Sequence, residues 1–274
     1  DLHSFPTRRS SDLGNYDHPA AIAQRKNRRG GHLMTTITII QLYPKDMNLY
    51  GDWGNTLVLK KRLEWRGFRV EIIDHNPGDA TDFSTGDIFV GGGGQDAGQL
   101  AIQDDLLSRG EELKTLANDG VPMLLICGMY QLFGRQFVTN DGSVIRGIGV
   151  LPVETTAGAE RLIGNITLES DQFGTIVGYE NHSGQTFLDD TVQPLGKVVR
   201  GAGNNTTDGT EGVRFNNVIA TYLHGSLLPK NPTIADFLIT KALERRGIST
   251  DDLKPLEVDA LAQTAQQVAA ERPR

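Results

Sequence analysis

The stretch "MLLICGMYQLFG", residues 123–134, decides the fold expected for this chain. Its first half is an uninterrupted apolar run, which is typical of a strand buried on both faces of a parallel sheet. A helix is predicted directly after this run, so strand and helix meet at one sharp turn. Cys127, the only cysteine among the 274 residues, lies at that turn.

Cys127 is either a small buried hydrophobic residue, as most free cysteines are, or a nucleophile. A helix N-terminus favours the thiolate form of a cysteine, but a nucleophile also needs a base. His224 follows the apolar run of residues 217–223, whose end is expected at the same edge of the sheet. Together with the four glycines at residues 91–94, this favours the nucleophile. His182 is the rival base, or a structural histidine in a glycine-containing turn.

Outside this stretch, short β-branched runs alternate with amphipathic segments from Met34 onward. Strands are predicted at residues 36–43, 68–74, 87–94 and 123–127, and around Gly149, Ile166, Val177, Val198 and Val218; helices are predicted at residues 55–67, 100–118 and 233–246. This alternation indicates an α/β fold, a three-layer sandwich in which helices cover both faces of a largely parallel central sheet.

The ends of the chain differ from its middle. Residues 1–33 contain "HSFPTRRSSDL", which resembles translated adapter sequence, and they have no apolar periodicity, so we expect an artefact of upstream translation that is disordered. Residues 34–246 are predicted to form one domain. Residues 247–274 are expected to be a helical tail with no chemistry of their own.

The composition excludes several classes of protein. A net charge of -7 and a pI near 5.4 disfavour a nucleic-acid-binding surface. No apolar segment approaches the roughly 20 residues that span a bilayer, so no membrane insertion is expected. One cysteine excludes an intrachain disulfide and a cysteine-rich zinc site, no metal site is predicted, and a reducing cytoplasm fits best.

Five motifs in order resemble those of class I glutamine amidotransferases of the cobyric-acid-synthase-like type. They are "GGGGQD" (residues 91–96), "LLICGMYQLFG" (124–134), "AERLIGNITLES" (159–170), "GYENHSGQTFL" (178–188) and "TYLHGSLLPKNP" (221–232). Together with "NLYGDWGNTLVLKKRLEWRG" (48–67), they resemble more narrowly the glutaminase subunits of lipid II isoglutaminyl synthases, the GatD family. The resemblance implies a class I glutamine amidotransferase fold, which is flavodoxin-like.

The resemblance also implies roles for five residues. Cys127 corresponds to the thiolate that attacks the side-chain amide of glutamine, and His224 to the acid and base. Gly128 and Gly93 are the expected N–H donors of the oxyanion hole. Arg161 corresponds to the arginine that binds the substrate carboxylate, which its planar guanidinium suits, although it also fits a surface arginine at the start of a strand.

Two departures from better-known triad enzymes stand out. Those enzymes have Gly-x-Cys-x-Gly at the turn, whereas Leu125 and Met129 occupy both glycine positions here. They also have His-x-Glu, whereas Ser226 stands two residues after His224. The carboxylate that orients the histidine is therefore missing from its usual place.

The orienting carboxylate is expected either elsewhere in this chain or from another subunit. Within the chain, Glu180 and Asp96 are the first positions to consider. If another subunit supplies it, the isolated chain hydrolyses glutamine slowly, and adding that subunit raises the rate at least about ten-fold.

The chain contains no Gly-x-x-x-x-Gly-Lys-Ser/Thr loop, so it is not expected to activate an acceptor with ATP. The resemblance implies a Mur-ligase-like partner, MurT, that carries ATP and Mg²⁺, while this chain carries no cofactor. The ammonia then converts the D-glutamate α-carboxylate of lipid II to D-isoglutamine during peptidoglycan synthesis. The alternatives are an amidotransferase of cobyrinate or cobyrate synthesis and a catalytically inactive binding module.

Overall fold

The computed structural model describes residues 35–251 and 253–273. The expectation for residues 1–33 lies outside this part. Within it, no helix combines the length and the apolar character needed to cross a bilayer.

Twelve strands and six α-helices are present in the described residues. The strands are β1 (Thr36–Leu42), β2 (Arg69–His75), β3 (Ile88–Gly91), β4 (Met123–Ile126), β5 (Gln136–Val138), β6 (Val144–Arg146), β7 (Val153–Ser170), β8 (Gly174–Leu188), β9 (Gly196–Arg200), β10 (Thr210–Glu211), β11 (Val213–Phe215) and β12 (Val218–Thr221). The helices are α1 (Trp53–Trp65), α2 (Asp96–Ser108), α3 (Gly110–Asn118), α4 (Gly128–Phe133), α5 (Pro232–Arg245) and α6 (Val258–Glu271).

The first sheet has the strand order β11-β12-β4-β3-β1-β2. Every neighbouring pair in it is parallel except β11 and β12. Its central strands are apolar on both faces, as a parallel sheet covered by helices requires, and all four residues of β3 and of β4 are buried. The order of its first four strands, 2-1-3-4, is that of flavodoxin-like folds, which confirms the predicted fold class.

Helices cover both faces of this sheet. From β1, the chain passes through α1 to β2, which lies at one edge of the sheet. From β3, it passes through α2 and α3 to β4, which lies towards the other edge. Because such crossovers are right-handed, these two connections lie on opposite faces. Helix α5 packs against α1 and β3, and α4 packs against α2 and β4, so each face carries more than one helix.

A second sheet, of order β10-β9-β7-β5-β6 with β8 paired to β7, is built mainly from antiparallel pairs. Its main feature is the long hairpin of β7 and β8, whose register shifts between Ala157 and Leu162. The sequence pattern predicted three of these six strands, β7, β8 and β9, and it did not group them into a sheet of their own.

Two predicted elements differ from the structure. The single helix predicted at residues 100–118 is two helices, which are separated at Arg109, where φ is -94° and ψ is -2°. The Arg109 side chain donates to the Thr81 carbonyl and lies over the Phe83 ring at 4.0 Å. The strand predicted around Gly149 is wrong. Gly149 has a φ of 64°, and it lies in an irregular segment between β6 and β7.

The carboxyl edge of the first sheet gathers the segments that matter for function. The loops after β1, β3, β4 and β12 all leave from this edge, and the strand order reverses between β1 and β3. Ligands of open α/β sheets bind at such a point. The fold therefore places residues 43–52, 92–95, 127 and 222–227 around one location.

Candidate active site

Cys127 occupies a strained turn between β4 and α4. Its φ of 50° and ψ of -105° are unusual for a residue with a side chain, and such a conformation costs about 1–3 kcal/mol. The turn is held because the Cys127 N–H donates to the Thr221 carbonyl at 2.8 Å. The thiol is 8% exposed. A strained residue that presents its side chain at a sheet edge is typical of a nucleophile rather than of a packing residue.

The turn accommodates Met129 because a glycine on the neighbouring strand makes room for it. A Cβ on Gly91 would lie 2.4 Å from Cγ of Met129, so the Met129 side chain lies over the bare backbone of the neighbouring strand. A Cβ on Gly128 would lie 2.9 Å from the backbone N and O of Gly94. The glycine loop and the cysteine turn are therefore in direct backbone contact.

His224 follows β12 and is held on both sides. Its backbone N–H donates to the Tyr179 carbonyl at 2.7 Å, which ties it to β8. Its ring is buried, and Nδ1 lies 3.2 Å and 3.4 Å from the two carboxylate oxygens of Asp52. Nε2 has no hydrogen-bond partner within the described residues. With the proton on Nδ1, Nε2 is left for the thiol and the substrate.

The carboxylate that lies against the His224 ring is that of Asp52, a residue that the sequence patterns did not indicate. It lies just before α1, is 1% exposed, and its Oδ2 also accepts the Gly93 N–H at 2.7 Å. Glu180 and Asp96 were the first positions expected within the chain, but neither contacts His224 in this way. Glu180 accepts the N–H groups of Ala202 and Gly203, and Asp96 begins α2 at the rim of the cavity.

The three side chains meet around Gly93. A Cβ added to Gly93 would lie 2.6 Å from Cε1 of His224, 3.1 Å from Oδ2 of Asp52 and 3.4 Å from Cβ of Cys127. The absence of a side chain at this position lets nucleophile, base and acid pack together. The N–H of Gly93, which was expected in the oxyanion hole, instead donates to Oδ2 of Asp52.

The adjacent Gly94 supplies a different amide. It lines the same cavity as Cys127, and no hydrogen bond of the described residues uses its N–H. The Gly128 N–H is at the first position of α4, where a helix has no internal acceptor for it. Two unused N–H groups therefore flank the cysteine.

The charges at the site reinforce one another. Burial by itself lowers the pKa of His224, but the negative charge of the Cys127 thiolate and the bonded Asp52 carboxylate outweigh burial and raise that pKa to about 10. The imidazolium form of His224 is thus favoured. Beside Cys127, this cation can protonate a leaving group, and its positive charge suits a sulfur that attacks a carbonyl carbon.

A cavity of about 360 Å³ opens beside the cysteine. Cys127, His224 and Arg161 all line it, so the structure brings these three predicted residues to one place. Arg161 comes from the irregular part of β7, where the register shifts, and bulges of this kind re-aim side chains near active sites. Its Nε donates to Oδ1 of Asn181 at 2.6 Å, which leaves the two terminal amino groups for a ligand.

His182 also lines the cavity but in another form. Its ring stacks on Tyr222 at 3.6 Å, and its Nδ1 lies 2.6 Å from the Gly184 carbonyl, which can only accept a hydrogen bond. Burial lowers the pKa of His182 to about 4, and the hydrogen bond to Gly184 only partly opposes this. His182 is therefore neutral and has no carboxylate beside its Nδ1. The geometry favours His224 as the base.

This arrangement is suited to acyl transfer from a small amide that carries a carboxylate. It supplies a nucleophile, an acid and base, N–H donors and a guanidinium around one cavity. Among residues 35–251 and 253–273, no group of three or more histidine, cysteine or carboxylate side chains is placed to hold a metal ion.

Comparison with known proteins agrees with this chemistry. Residues 38–232 match the model of the CobB/CobQ-like glutamine amidotransferase domain, and the chain belongs to this family. The chain is similar to the lipid II isoglutaminyl synthase (glutamine-hydrolyzing) subunit GatD of Staphylococcus aureus, with 41% identity over 87% of this chain and 97% of the relative. The subunit of the same name from Streptococcus pneumoniae is 40% identical over 86% of this chain and 91% of the relative.

A more distant similarity links the chain to a probable cobyric acid synthase of Methanothermobacter thermautotrophicus. The identity there is 33%, over 54% of this chain and 30% of the relative.

Proposed function

We propose that this member of the CobB/CobQ-like glutamine amidotransferase family is the glutaminase subunit of a lipid II isoglutaminyl synthase. It hydrolyses L-glutamine to L-glutamate and ammonia at Cys127. The observation that carries the proposal is the buried Cys127–His224–Asp52 assembly beside a cavity that also contains Arg161.

In the first half of the reaction, the Cys127 thiolate attacks the side-chain carbonyl carbon of glutamine. The carbonyl π electrons move to the oxygen, and an oxyanion forms. The Nε2 proton of the His224 imidazolium passes to the amide nitrogen, the C–N bond breaks, and ammonia leaves. The product is a γ-glutamyl thioester on Cys127, with a neutral imidazole beside it.

The oxyanion needs two N–H donors, each of which typically contributes about 3–4 kcal/mol to transition-state stabilisation. We assign Gly128 and Gly94, because both amides flank the cysteine without an acceptor. This moves the second donor by one residue from the predicted Gly93, whose N–H orients Asp52 instead.

In the second half, neutral His224 takes a proton from a water molecule as the water attacks the thioester carbon. The C–S bond then breaks as the C=O bond re-forms, which restores the thiolate beside the imidazolium. The new γ-carboxyl group gives its proton to the solvent, and glutamate is released. Asp52 keeps the Nδ1 proton in place during both halves, so that Nε2 always faces the reaction. Arg161 binds the α-carboxylate of the substrate through its terminal amino groups.

The ammonia is used by a partner subunit. We assign the partner as the Mur-ligase-like protein MurT, which carries ATP and Mg²⁺ and activates the α-carboxylate of D-glutamate in lipid II, at the cytoplasmic side of the membrane. Two relatives at about 40% identity are both named as subunits of a lipid II isoglutaminyl synthase, which supports a partner subunit for this chain. Synthesis of cobyrate is less favoured, because the chain aligns with only 30% of that relative's length.

The test is ammonia release from L-glutamine by the purified chain, alone and with MurT, ATP, Mg²⁺ and lipid II. We expect the chain alone to hydrolyse glutamine, because Asp52 supplies the orienting carboxylate from within this chain. Slow hydrolysis was expected only if another subunit supplied that carboxylate. Cys127→Ala is the matched control, and it should abolish hydrolysis and amidation of lipid II while the far-UV spectrum and partner binding stay unchanged.

Three outcomes separate the candidates. Glutamine hydrolysis that is lost in Cys127→Ala, together with D-isoglutamine formation in the complex, supports the proposal. Hydrolysis without lipid II amidation would leave a glutaminase with another acceptor. The complete absence of hydrolysis, alone and in the complex, would make the chain a binding module.

A further inference from the structure

The segment "NLYGDWGN", residues 48–55, contributes more to the site than Asp52. Its backbone is tied to both catalytic loops: the Leu49 N–H donates to the Gly93 carbonyl at 3.0 Å, and the Gly51 carbonyl accepts the Ser226 hydroxyl at 2.7 Å. Between these two anchors lies Tyr50, whose φ of 54° and ψ of 21° fall in the left-handed region. A residue with a bulky side chain rarely adopts this conformation without a reason.

The ring of Tyr50 lies against the catalytic histidine. The centroids of the Tyr50 and His224 rings are 5.0 Å apart, with an angle of 73° between the planes, which is a favourable edge-to-face arrangement. Asp52, two residues further on, holds Nδ1 of the same ring. The segment therefore fixes His224 both at one nitrogen and against one side of the imidazole.

The hydroxyl of Tyr50 reaches towards the other end of the cavity. It accepts a hydrogen bond from Nδ2 of Asn181 at 2.8 Å, and Oδ1 of Asn181 accepts the Nε proton of Arg161 at 2.6 Å. Tyr50, Arg161 and Asn181 all line the cavity. A continuous chain of contacts thus runs from Arg161 through Asn181 and Tyr50 to His224.

The exposure of Tyr50 argues against a purely packing role. Its side chain is 49% exposed, so it contributes little to the core, and yet its backbone is held in a strained conformation. Backbone strain persists only where the surrounding contacts hold it, and strained residues cluster at active sites and ligand clamps. The strained backbone of Tyr50 directs its side chain into the cavity. Here that direction is the space between the histidine and the arginine.

We propose that Tyr50 is a positioning residue that sets both ends of the site. Its ring orients His224 for proton transfer, and its hydroxyl, through Asn181, orients the Arg161 guanidinium for the α-carboxylate of the substrate. This inference rests on the proposed glutaminase function. It divides the two effects between two parts of one side chain, which makes them separable by experiment.

The experiment compares Tyr50→Phe and Tyr50→Leu on two substrates, L-glutamine and its α-carboxamide derivative, which lacks the carboxylate. Tyr50→Phe should raise KM for glutamine about 2- to 10-fold, as expected for one lost hydrogen bond, with kcat nearly unchanged. It should not alter the kinetics of the α-carboxamide. Tyr50→Leu should in addition lower kcat about 2- to 10-fold for both substrates, because the aromatic contact is lost.

Trp53→Phe is the matched control, since it alters another aromatic side chain of the same segment that makes no contact with His224 or Asn181; both kinetic constants should stay within about two-fold. Glutamine affinity can be measured calorimetrically in the Cys127→Ala background, where no turnover occurs. Addition of Tyr50→Phe should lower this affinity by the same factor by which it raises KM.

An unchanged glutamine affinity in Tyr50→Phe would overturn the inference, and so would an equal loss of activity with both substrates. In either case, glutamine hydrolysis by the unmodified chain would leave the proposed function standing. Should the unmodified chain neither hydrolyse nor bind glutamine, the proposed function fails first, and the inference fails with it.

Discussion

The two ends of the cavity are built in opposite ways. The reaction end contains Cys127, His224 and Asp52. These residues lie in loops that follow parallel strands of the first sheet, and they are at most 8% exposed. At the recognition end, Arg161 and Asn181 come from the antiparallel hairpin, whose register is irregular near Arg161. Arg161 is exposed and Asn181 is half-buried. Tyr50 contacts residues of both ends.

The difference separates two physical regimes. Charges at the buried end act through a medium of low polarity, so each contact has a large effect on the protonation of its neighbours. At the exposed end, water screens the charges, and a single contact has a modest effect on binding. Substitutions at the reaction end should therefore change kcat by orders of magnitude, whereas substitutions at the recognition end should mainly change KM.

The largest effect is expected at His224. His224→Ala removes the proposed acid and base, so kcat should fall by at least the roughly 10²- to 10⁴-fold that is typical of such a loss. His182→Phe keeps a ring that can stack on Tyr222, and it should cost much less. Initial rates of ammonia release at saturating glutamine provide the comparison. If the two variants exchanged ranks, His182 would be the base.

Asp52→Asn should have the next largest effect. It keeps the shape of the side chain but removes the negative charge, and kcat should fall about 10²-fold, less than after loss of the histidine. Asp52 raises the pKa of His224, so this pKa should decrease in the variant. The imidazolium is then lost at lower pH, and the alkaline limb of the kcat/KM profile should move downward. An unmoved limb would show that Asp52 does not control the protonation of His224.

Arg161→Met tests the recognition end. Loss of a charged contact to the α-carboxylate should raise KM about 10- to 100-fold with a small change in kcat. Arg69→Met, which alters an exposed arginine at the start of β2, is the control. Steady-state kinetics on both variants would decide the matter. A fall in kcat with KM unchanged would place Arg161 at the reaction end and would contradict the division described above.

The smallest effect concerns stability rather than catalysis. Burial raises the pKa of Glu211 to about 8, although the Tyr222 N–H and the Thr221 hydroxyl partly oppose this. Between about pH 4.5 and pH 8, the folded protein therefore keeps a proton on Glu211 that the unfolded chain has already released. The free energy of unfolding should decrease across this window as the pH rises.

In Glu211→Gln, the melting temperature should differ less between low and high pH, by a few degrees. A change of 1 kcal/mol shifts the melting temperature by about 2–4 °C for a domain of this size. Thermal melts of both proteins at pH 5 and pH 8.5 provide the measurement. Parallel curves would assign the ionisation to another group.

Much of the fold follows from the sequence, because a parallel sheet leaves a strong local pattern. The apolar strands β3 and β4 and the helices α1 and α5 lie within a few residues of their predicted positions. The break at Arg109 did not follow from the sequence, since the helical periodicity continues through it and a deviation at one residue leaves the spacing of the apolar residues unchanged. The second sheet was missed because strands that alternate or contain glycine do not reveal their partners.

The site shows the same division. Cys127 and His224 could be found, because each follows an apolar strand and the resemblance pairs them. Asp52 could not be found from spacing, since 172 residues separate it from His224. In retrospect, one pattern does point to it: an aspartate between Gly51 and Gly54, after the first strand, at the point where the strand order reverses.

The bare backbone at Gly93 has a consequence for how proteins of this kind are found in genomes. Because any side chain at this position would collide with His224, a population of randomised variants should retain glycine there, whereas the positions of Leu125 and Met129 already show that the glycines beside the nucleophile are dispensable. A search profile centred on Gly-x-Cys-x-Gly overlooks such a chain. One that weights the glycine run and the aspartate that its amide contacts would detect it.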